Sequence, residues 1–244
     1  MQDQVPGHSS TLAMPGQPLK RPPSLARASS HTLPRFGDRR AISVGLLGGS
    51  FNPAHAGHLH VARMARRRLR LDQVWLLVSP GNPLKAGHDM MGLAERLASA
   101  RGIADGRRII ATDIERHIAC RRGVHYTVDT LAALRRAFPR VRFVWLMGAD
   151  NLVQLPRWRG WRRIARGTRF AVMPRPTYNH AALAEQAARR LRPWRIPAQR
   201  ATALAHIAPP AWVFLDIRQN SLSATDLRRE MRYLPLSDDL GESR

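Results

Sequence analysis

Apolar residues fall along the chain in two alternating rhythms. Unbroken runs such as AISVGLLGGS (41–50), VWLLVSP (74–80) and the segment 141–147 read as buried strands, because a strand covered on both faces shows no polar alternation. Between the first two runs, HLHVARMARRRL (58–69) puts Leu59, Ala62, Met64 and Leu69 broadly on one side and arginines on the other, the spacing of an amphipathic helix. Strand, helix and strand in that order require a right-handed parallel crossover. The alternation continues with a helix around 93–101, a short strand at 108–112, a helix at 127–138, the strand at 141–147, a helical stretch, and a strand at 169–173. A helix near 181–192, a strand at 212–215 and a last helix from about 224 complete the pattern. Strands alternating with helices throughout predict an α/β fold, a doubly wound, mainly parallel sheet in a single domain over residues 41–234. Residues 1–40 have many Pro, Ser, Gly and His and no apolar periodicity, so they are read as a disordered N-terminal extension, with 235–244 as a C-terminal tail.

Composition narrows the classes. No window approaches the roughly 20 apolar residues needed to span a bilayer, which argues against a membrane protein. One cysteine, Cys120, leaves neither an internal disulfide nor a cysteine pair for zinc. The first 40 residues lack a continuous apolar core, so they do not read as a secretory signal, and the expected location is cytoplasmic. The net charge of +23 raises the question of a nucleic-acid partner. The first 40 residues hold six basic and two acidic side chains, so most of the excess lies in the folded part. Lys20 and Lys85 are the only lysines. A bias toward arginine accounts for much of the charge, and a specific nucleic-acid role is not expected. The field would still attract phosphorylated substrates.

In a doubly wound sheet, ligands bind at the carboxyl ends of the strands near the reversal of strand order. After the first strand comes Gly48-Gly49-Ser50-Phe51-Asn52-Pro53-Ala54-His55-Ala56-Gly57-His58, opening directly into a helix. Two glycines let backbone approach a phosphate, and the free N–H groups of a helix start add positive potential. His55 and His58, with Gly57 between them, can face one site and donate to phosphate oxygens. A tight turn or a His-x-x-His metal pair are the competing readings, although helical zinc pairs more often sit four apart and need a third ligand. The string is neither a dinucleotide-binding GxGxxG nor a Walker loop.

The same string resembles the GGxFxPxHxGH signature of the nucleotidyltransferase superfamily, with every fixed position matched. Further segments resemble the bacterial nicotinate-nucleotide adenylyltransferases: SPGNPLK after the second strand, HYTVDTL around 126–131, WLMGADNLVQLPRW, and SLSATDLRR near the carboxyl terminus. These span roughly 42–233 in the family's order. Leu222 stands where the family usually has Ile, and Ala224 replaces a serine, leaving Ser223 and Thr225 as hydroxyls. The segment Pro-Leu-Lys lacks the Pro-His pair that many members have.

The resemblance implies a Rossmann-like nucleotidyltransferase fold and adenylyl transfer from ATP to nicotinate mononucleotide, a step of NAD biosynthesis, with Mg²⁺ accompanying ATP. It implies that His55 and His58 are catalytic and that Gly48, Gly49, Ser50, Phe51, Gly57, Gly148, Asp150, Ser223, Thr225 and Arg228 bind ATP. Asn52, Lys85, Tyr126, Thr127, Thr130 and Trp158 fall to nicotinate mononucleotide, with Trp158 stacking on its ring. No dedicated metal cage is visible. The Asp113–Glu115 pair lacks a third acidic partner and is read as a surface or structural pair. Taken without the resemblance, Ser223, Thr225 and Thr127 also fit ordinary helix capping, and Trp158 fits packing. Two rivals remain: an adenylyltransferase for another phosphorylated acceptor, such as phosphopantetheine or flavin mononucleotide, and a non-catalytic arginine-rich nucleic-acid-binding protein.

Overall fold

In the computed structural model, which describes residues 40–81, 90–118, 125–174, 180–215 and 217, the apolar runs form strands whose alternate side chains enter two separate layers. The chain order is β1 (Ser43–Gly49), α1 (Ala56–Arg68), β2 (Gln73–Val78), α2 (Leu93–Ile103), β3 (Ile109–Thr112), α3 (Glu115–Ile118) and α4 (Thr127–Ala137). It continues with β4 (Arg142–Gly148), α5 (Ala149–Gln154), α6 (Trp161–Gly167), β5 (Arg169–Met173), α7 (Gln186–Leu191), β6 (Arg195–Ile196) and β7 (Ala211–Phe214).

The strands form one sheet in the order β3-β2-β1-β4-β5-β7-β6, and every pairing is parallel. Val44 and Leu46 join Trp75, Leu77 and Trp145 on one face, under α4, α5, α6 and α7. Leu47 joins Leu76, Val144 and Leu146 on the other, under α1 and α2. A fully buried Leu or Val contributes about 1.5–3 kcal/mol, and a slip of one residue would exchange the two layers, so burial itself fixes the register. From β1 the chain winds outward through β2 and β3, then returns to lay β4 on the other side of β1. The strand order therefore reverses between β1 and β4, and their carboxyl ends flank the crevice where such sheets bind ligands.

The pattern of the sequence predicts less well beyond β5. The helix expected at 181–192 is two pieces, a 3₁₀ segment at His180–Ala184 and α7, separated by Glu185 in an extended conformation. The two-residue edge strand β6 and the 3₁₀ segment Ala198–His206 have no counterpart in the expected elements. Both lie among prolines: Pro193 precedes β6 and Pro197 follows it, positions that an edge strand tolerates. The helical stretch before β5 divides into α5 and α6, with Pro156 in the 3₁₀ turn between them and Gly160, at φ +64°, opening α6. The last expected helix, from about 224, lies outside the described residues. Among the described residues no helix is long and apolar enough to cross a membrane.

Candidate functional site

The glycine pair ends β1 where the sheet needs bare backbone. A Cβ on Gly48 would sit 2.7 Å from Cη2 of Trp145, a ring fixed by its place in the core. The Gly49 carbonyl accepts from the Ser79 N–H at 3.0 Å, tying the ends of β1 and β2 together. Phe51 follows in the left-handed region at φ 49°, unusual for a side chain of this size, and is held there by complete burial. Its ring packs on His58, with centroids 4.8 Å apart. Asn52 is buried too, and its Oδ1 accepts from the Met91 N–H at 3.0 Å.

His55 and His58 cap the start of α1 reciprocally. His55 is the N-cap residue, and its Nδ1 accepts from the Gly57 N–H at 3.1 Å. His58, three residues on, uses its own Nδ1 to accept from the His55 N–H at 3.2 Å. This is a capping box with imidazoles in the places usually held by a hydroxyl and a carboxylate. The two rings lie with centroids 3.9 Å apart and planes at 47°. A nitrogen that accepts carries no proton, so each ring bears its hydrogen on Nε2, the nitrogen suited to donate to a phosphate oxygen. The main chain thus sets the tautomer of both rings.

Arg96 is not among the residues that the sequence motifs single out, yet it holds this corner together. It lies on the inward face of α2 with 3% exposure. Its Nε donates to the Met91 carbonyl at 2.9 Å, and one terminal nitrogen donates to the carbonyls of Ser50 and Ser79, each at 2.8 Å. The other terminal nitrogen lies 3.4 Å from the Pro80 carbonyl. Burial lowers the pKa of this guanidinium from its ordinary value. One side chain so joins the loop after β1, the loop after β2 and the approach to α2. The signal in the sequence was an arginine in register with Leu97 and Ala100 on a helix otherwise apolar on that side.

On the other side of the crevice, Gly148 closes β4 and caps α5, and Asp150 stands in the first turn of that helix, where the helix dipole favours a carboxylate. Tyr126 is the N-cap of α4, its carbonyl accepting from the N–H groups of Asp129 and Thr130 at 2.9 and 3.0 Å. The Arg159 guanidinium lies 4.6 Å from the centre of the Tyr126 ring. Trp158 is partly buried and meets Trp145 edge to face, with centroids 6.4 Å apart. Trp145 therefore lies against both Gly48 and the ring of Trp158, linking the glycine turn to the end of the 3₁₀ turn between α5 and α6. Thr127 is partly buried at the first position of α4. Thr130 is different: it is fully buried, and its hydroxyl donates to Glu115 Oε1 at 3.0 Å, so it faces the core. Burial raises the Glu115 pKa, while the Thr130 hydroxyl draws it back in part. Asp113 lies near His117 at 3.8 Å, and Glu115 is the buried member of the pair. Lys85, Ser223, Thr225 and Arg228 lie outside the described residues.

The cytidylyltransferase-like family model matches residues 46–230. A protein of Gluconacetobacter diazotrophicus named "Probable nicotinate-nucleotide adenylyltransferase" is 56% identical over 193 residues, 79% of this chain and 88% of that protein. The chain belongs to the nicotinate-nucleotide adenylyltransferase family. A second relative with the same name, from Gluconobacter oxydans, is 55% identical over 81% of this chain and 99% of its own length. Among solved structures, the Plasmodium falciparum nicotinic acid mononucleotide adenylyltransferase complexed with NaAD superposes with a TM-score of 0.58 over 77% of this chain and 83% of that one. At 16% identity, that likeness speaks for the fold this adenylyltransferase shares.

Proposed function

We infer that the chain transfers the adenylyl group of ATP to nicotinate mononucleotide, forming nicotinate adenine dinucleotide and releasing pyrophosphate in NAD biosynthesis. The observation that carries this reading is the reciprocal histidine cap at the sheet's reversal point, in a chain of this family. The acceptor phosphate is already an anion, so no strong general base is needed. Its oxygen attacks the α-phosphorus in line as pyrophosphate leaves, and the protein's task is alignment and stabilisation of charge.

In this reading the Nε2–H groups of His55 and His58 donate to the triphosphate and to the charge that develops on it. The backbone of Gly49 and Ser50 supports the same phosphates, while Gly48, Phe51 and Gly57 give the turn its shape. Asp150, beside Gly148, accepts from ribose hydroxyls of the adenosine. Trp158 stacks on the nicotinate ring, with Tyr126 and Thr127 presenting backbone groups to its carboxylate. Asn52 and Thr130 support the acceptor side from behind, through Met91 and Glu115. Ser223, Thr225 and Arg228 take the β and γ phosphates, and Lys85 an acceptor phosphate, on the family resemblance alone.

Among the described residues there is no group of three or more His, Cys, Asp or Glu placed to hold a metal. A hard divalent ion fits here as a partner of the nucleotide, with Mg²⁺ taking its ligands from phosphate oxygens and water. It would neutralise charge on the departing pyrophosphate.

The deciding assay is pyrophosphate release with Mg²⁺-ATP and, separately, nicotinate mononucleotide, nicotinamide mononucleotide or phosphopantetheine. Turnover with the nicotinate substrate is expected, and silence with all three from folded protein would overturn the reading. The family model's range, residues 46–230, falls inside the segment 41–234 and supports that segment as the one to test. The same assay on that segment is expected to give undiminished turnover, and a large loss would move part of the site into the extensions.

A further inference from the structure

The chain's positive charge gathers at a second place, at the end of the sheet opposite the histidines. A cleft of about 260 Å³ opens there, between the carboxyl half of α4, the turn into β4 and the start of β5. Four of its lining residues are arginines, Arg135, Arg140, Arg142 and Arg169, and no lining residue is acidic.

Among the described residues, the hydrogen bonds of these arginines reach neutral acceptors only. Arg135 donates to the Gly167 carbonyl at 2.8 Å and the Thr168 hydroxyl at 3.1 Å. Arg142 donates to the Ala41 carbonyl at 3.2 Å, and Arg169 to the Ile207 carbonyl. None of the four forms an ion pair with a described residue. The Nε of Arg142 is buried and has no acceptor among the described residues. Burial and the neighbouring Arg142 lower the pKa of Arg169. Burial, then Arg136 and Arg163, do the same for Arg135. Like charges gathered in a concavity and a donor left unsatisfied are both costs that a bound anion would remove.

We propose that this arginine-lined cleft is a second anion site, taking a phosphate or pyrophosphate group that is either free or at the end of a nucleotide. Guanidinium forks match the oxygens of such a group two at a time, which a lysine cannot do. The concavity suits a compact oxyanion, whereas a nucleic-acid duplex needs an extended basic strip along its backbone. The site lies at the amino ends of β4 and β5, so an occupant here is separate from one held by the histidines at the carboxyl end of β1.

Calorimetric titration at fixed ionic strength tests this with phosphate, pyrophosphate and ATP on wild type and three variants. Wild type should bind pyrophosphate at two sites; His58→Ala should weaken one, and Arg140→Gln/Arg142→Gln should weaken the other by about 10-fold or more. Arg140→Gln alone removes an exposed side chain with no hydrogen bond to a described residue, so a several-fold loss with an unchanged urea midpoint separates anion binding from misfolding. Occupancy by phosphate alone identifies a free anion as sufficient, and occupancy by ATP only identifies a nucleotide. A single site in wild type, or a second site unchanged in both arginine variants, overturns the proposal. So does tight duplex DNA binding without any saturable phosphate binding, which would assign the arginines to nucleic acid.

Discussion

The two ends of the sheet hold comparable polar resources in opposite states. At the carboxyl end, His55, His58, Asn52 and Arg96 each bond the main chain of a loop, and the loops are fixed by them. At the amino end, four arginines line a cleft where, among the described residues, they meet neutral acceptors only, and one buried N–H meets none. Charge density therefore does not mark the candidate catalytic site in this chain. What marks it is side-chain hydrogen bonding committed to the backbone, which holds groups in place before a substrate arrives, the condition for electrostatic catalysis.

The sharpest test of this contrast separates capping from donation at the histidines. His58→Ala should cost about 100- to 1000-fold in kcat. His55→Asn should preserve stability, because an Asn Oδ1 accepts from the Gly57 N–H as His55 Nδ1 does, yet lose a comparable factor in turnover. Equal, small losses in stability and rate for both variants would reduce the pair to a helix cap, and urea unfolding beside steady-state kinetics reads both quantities.

Next in size is Arg96. Arg96→Leu leaves the carbonyls of Ser50, Ser79 and Met91 without their donor and should cost about 3 kcal/mol or more of folding stability. Lysine lacks the fork needed to serve three loops, so Arg96→Lys should recover little. Arg140 at the opposite end should tolerate the same Leu change within about 0.5 kcal/mol. Matching losses at the two arginines would erase the distinction.

A smaller effect is expected at Gly48. Gly48→Ala forces the new methyl against Trp145 and should cost about 1–3 kcal/mol. Because Trp145 also abuts Trp158, KM for nicotinate mononucleotide should rise, and Trp145→Phe in the same protein should relieve part of both effects.

The smallest prediction concerns Glu115. Its folded pKa is raised, so ionisation works against folding as pH climbs from the ordinary glutamate value of about 4.3 through the raised one. Below that window both states are protonated and the penalty is absent. Glu115→Gln should therefore match wild type at low pH and become the more stable at neutral pH; urea titrations across pH 4–8 check it. A wild type that gained on the variant as pH rose would show that the carboxylate is stabilised in the folded protein.

The sequence was most legible where one physical cause acts over a short span. The strand runs at 74–80 and 141–147 declare themselves because both faces of β2 and β4 are covered. The turn GGSFNPAHAGH is a continuous string whose geometry is local. Arg96 stayed hidden because its partners Ser79 and Ser50 are 17 and 46 residues away, and only the parallel pairing of β1 and β2 brings them together. Thr130 sits in a segment resembling a substrate loop, but helical spacing from Tyr126 turns its hydroxyl inward to Glu115. Around β6, Pro193, Pro197 and scattered arginines leave neither a helical nor a strand period to read.

The Arg96 clamp also bears on how such a chain can be re-engineered. Three loops that share one guanidinium cannot be exchanged singly. A segment transplanted after β2 from an adenylyltransferase with another acceptor would arrive without carbonyls set to meet this arginine, and the mismatch would be felt at Ser50, beyond the end of the neighbouring strand β1. Loop substitutions here should be strongly epistatic, and the unit of successful transplantation is the set comprising the turn after β1, the end of β2 and the first turn of α2.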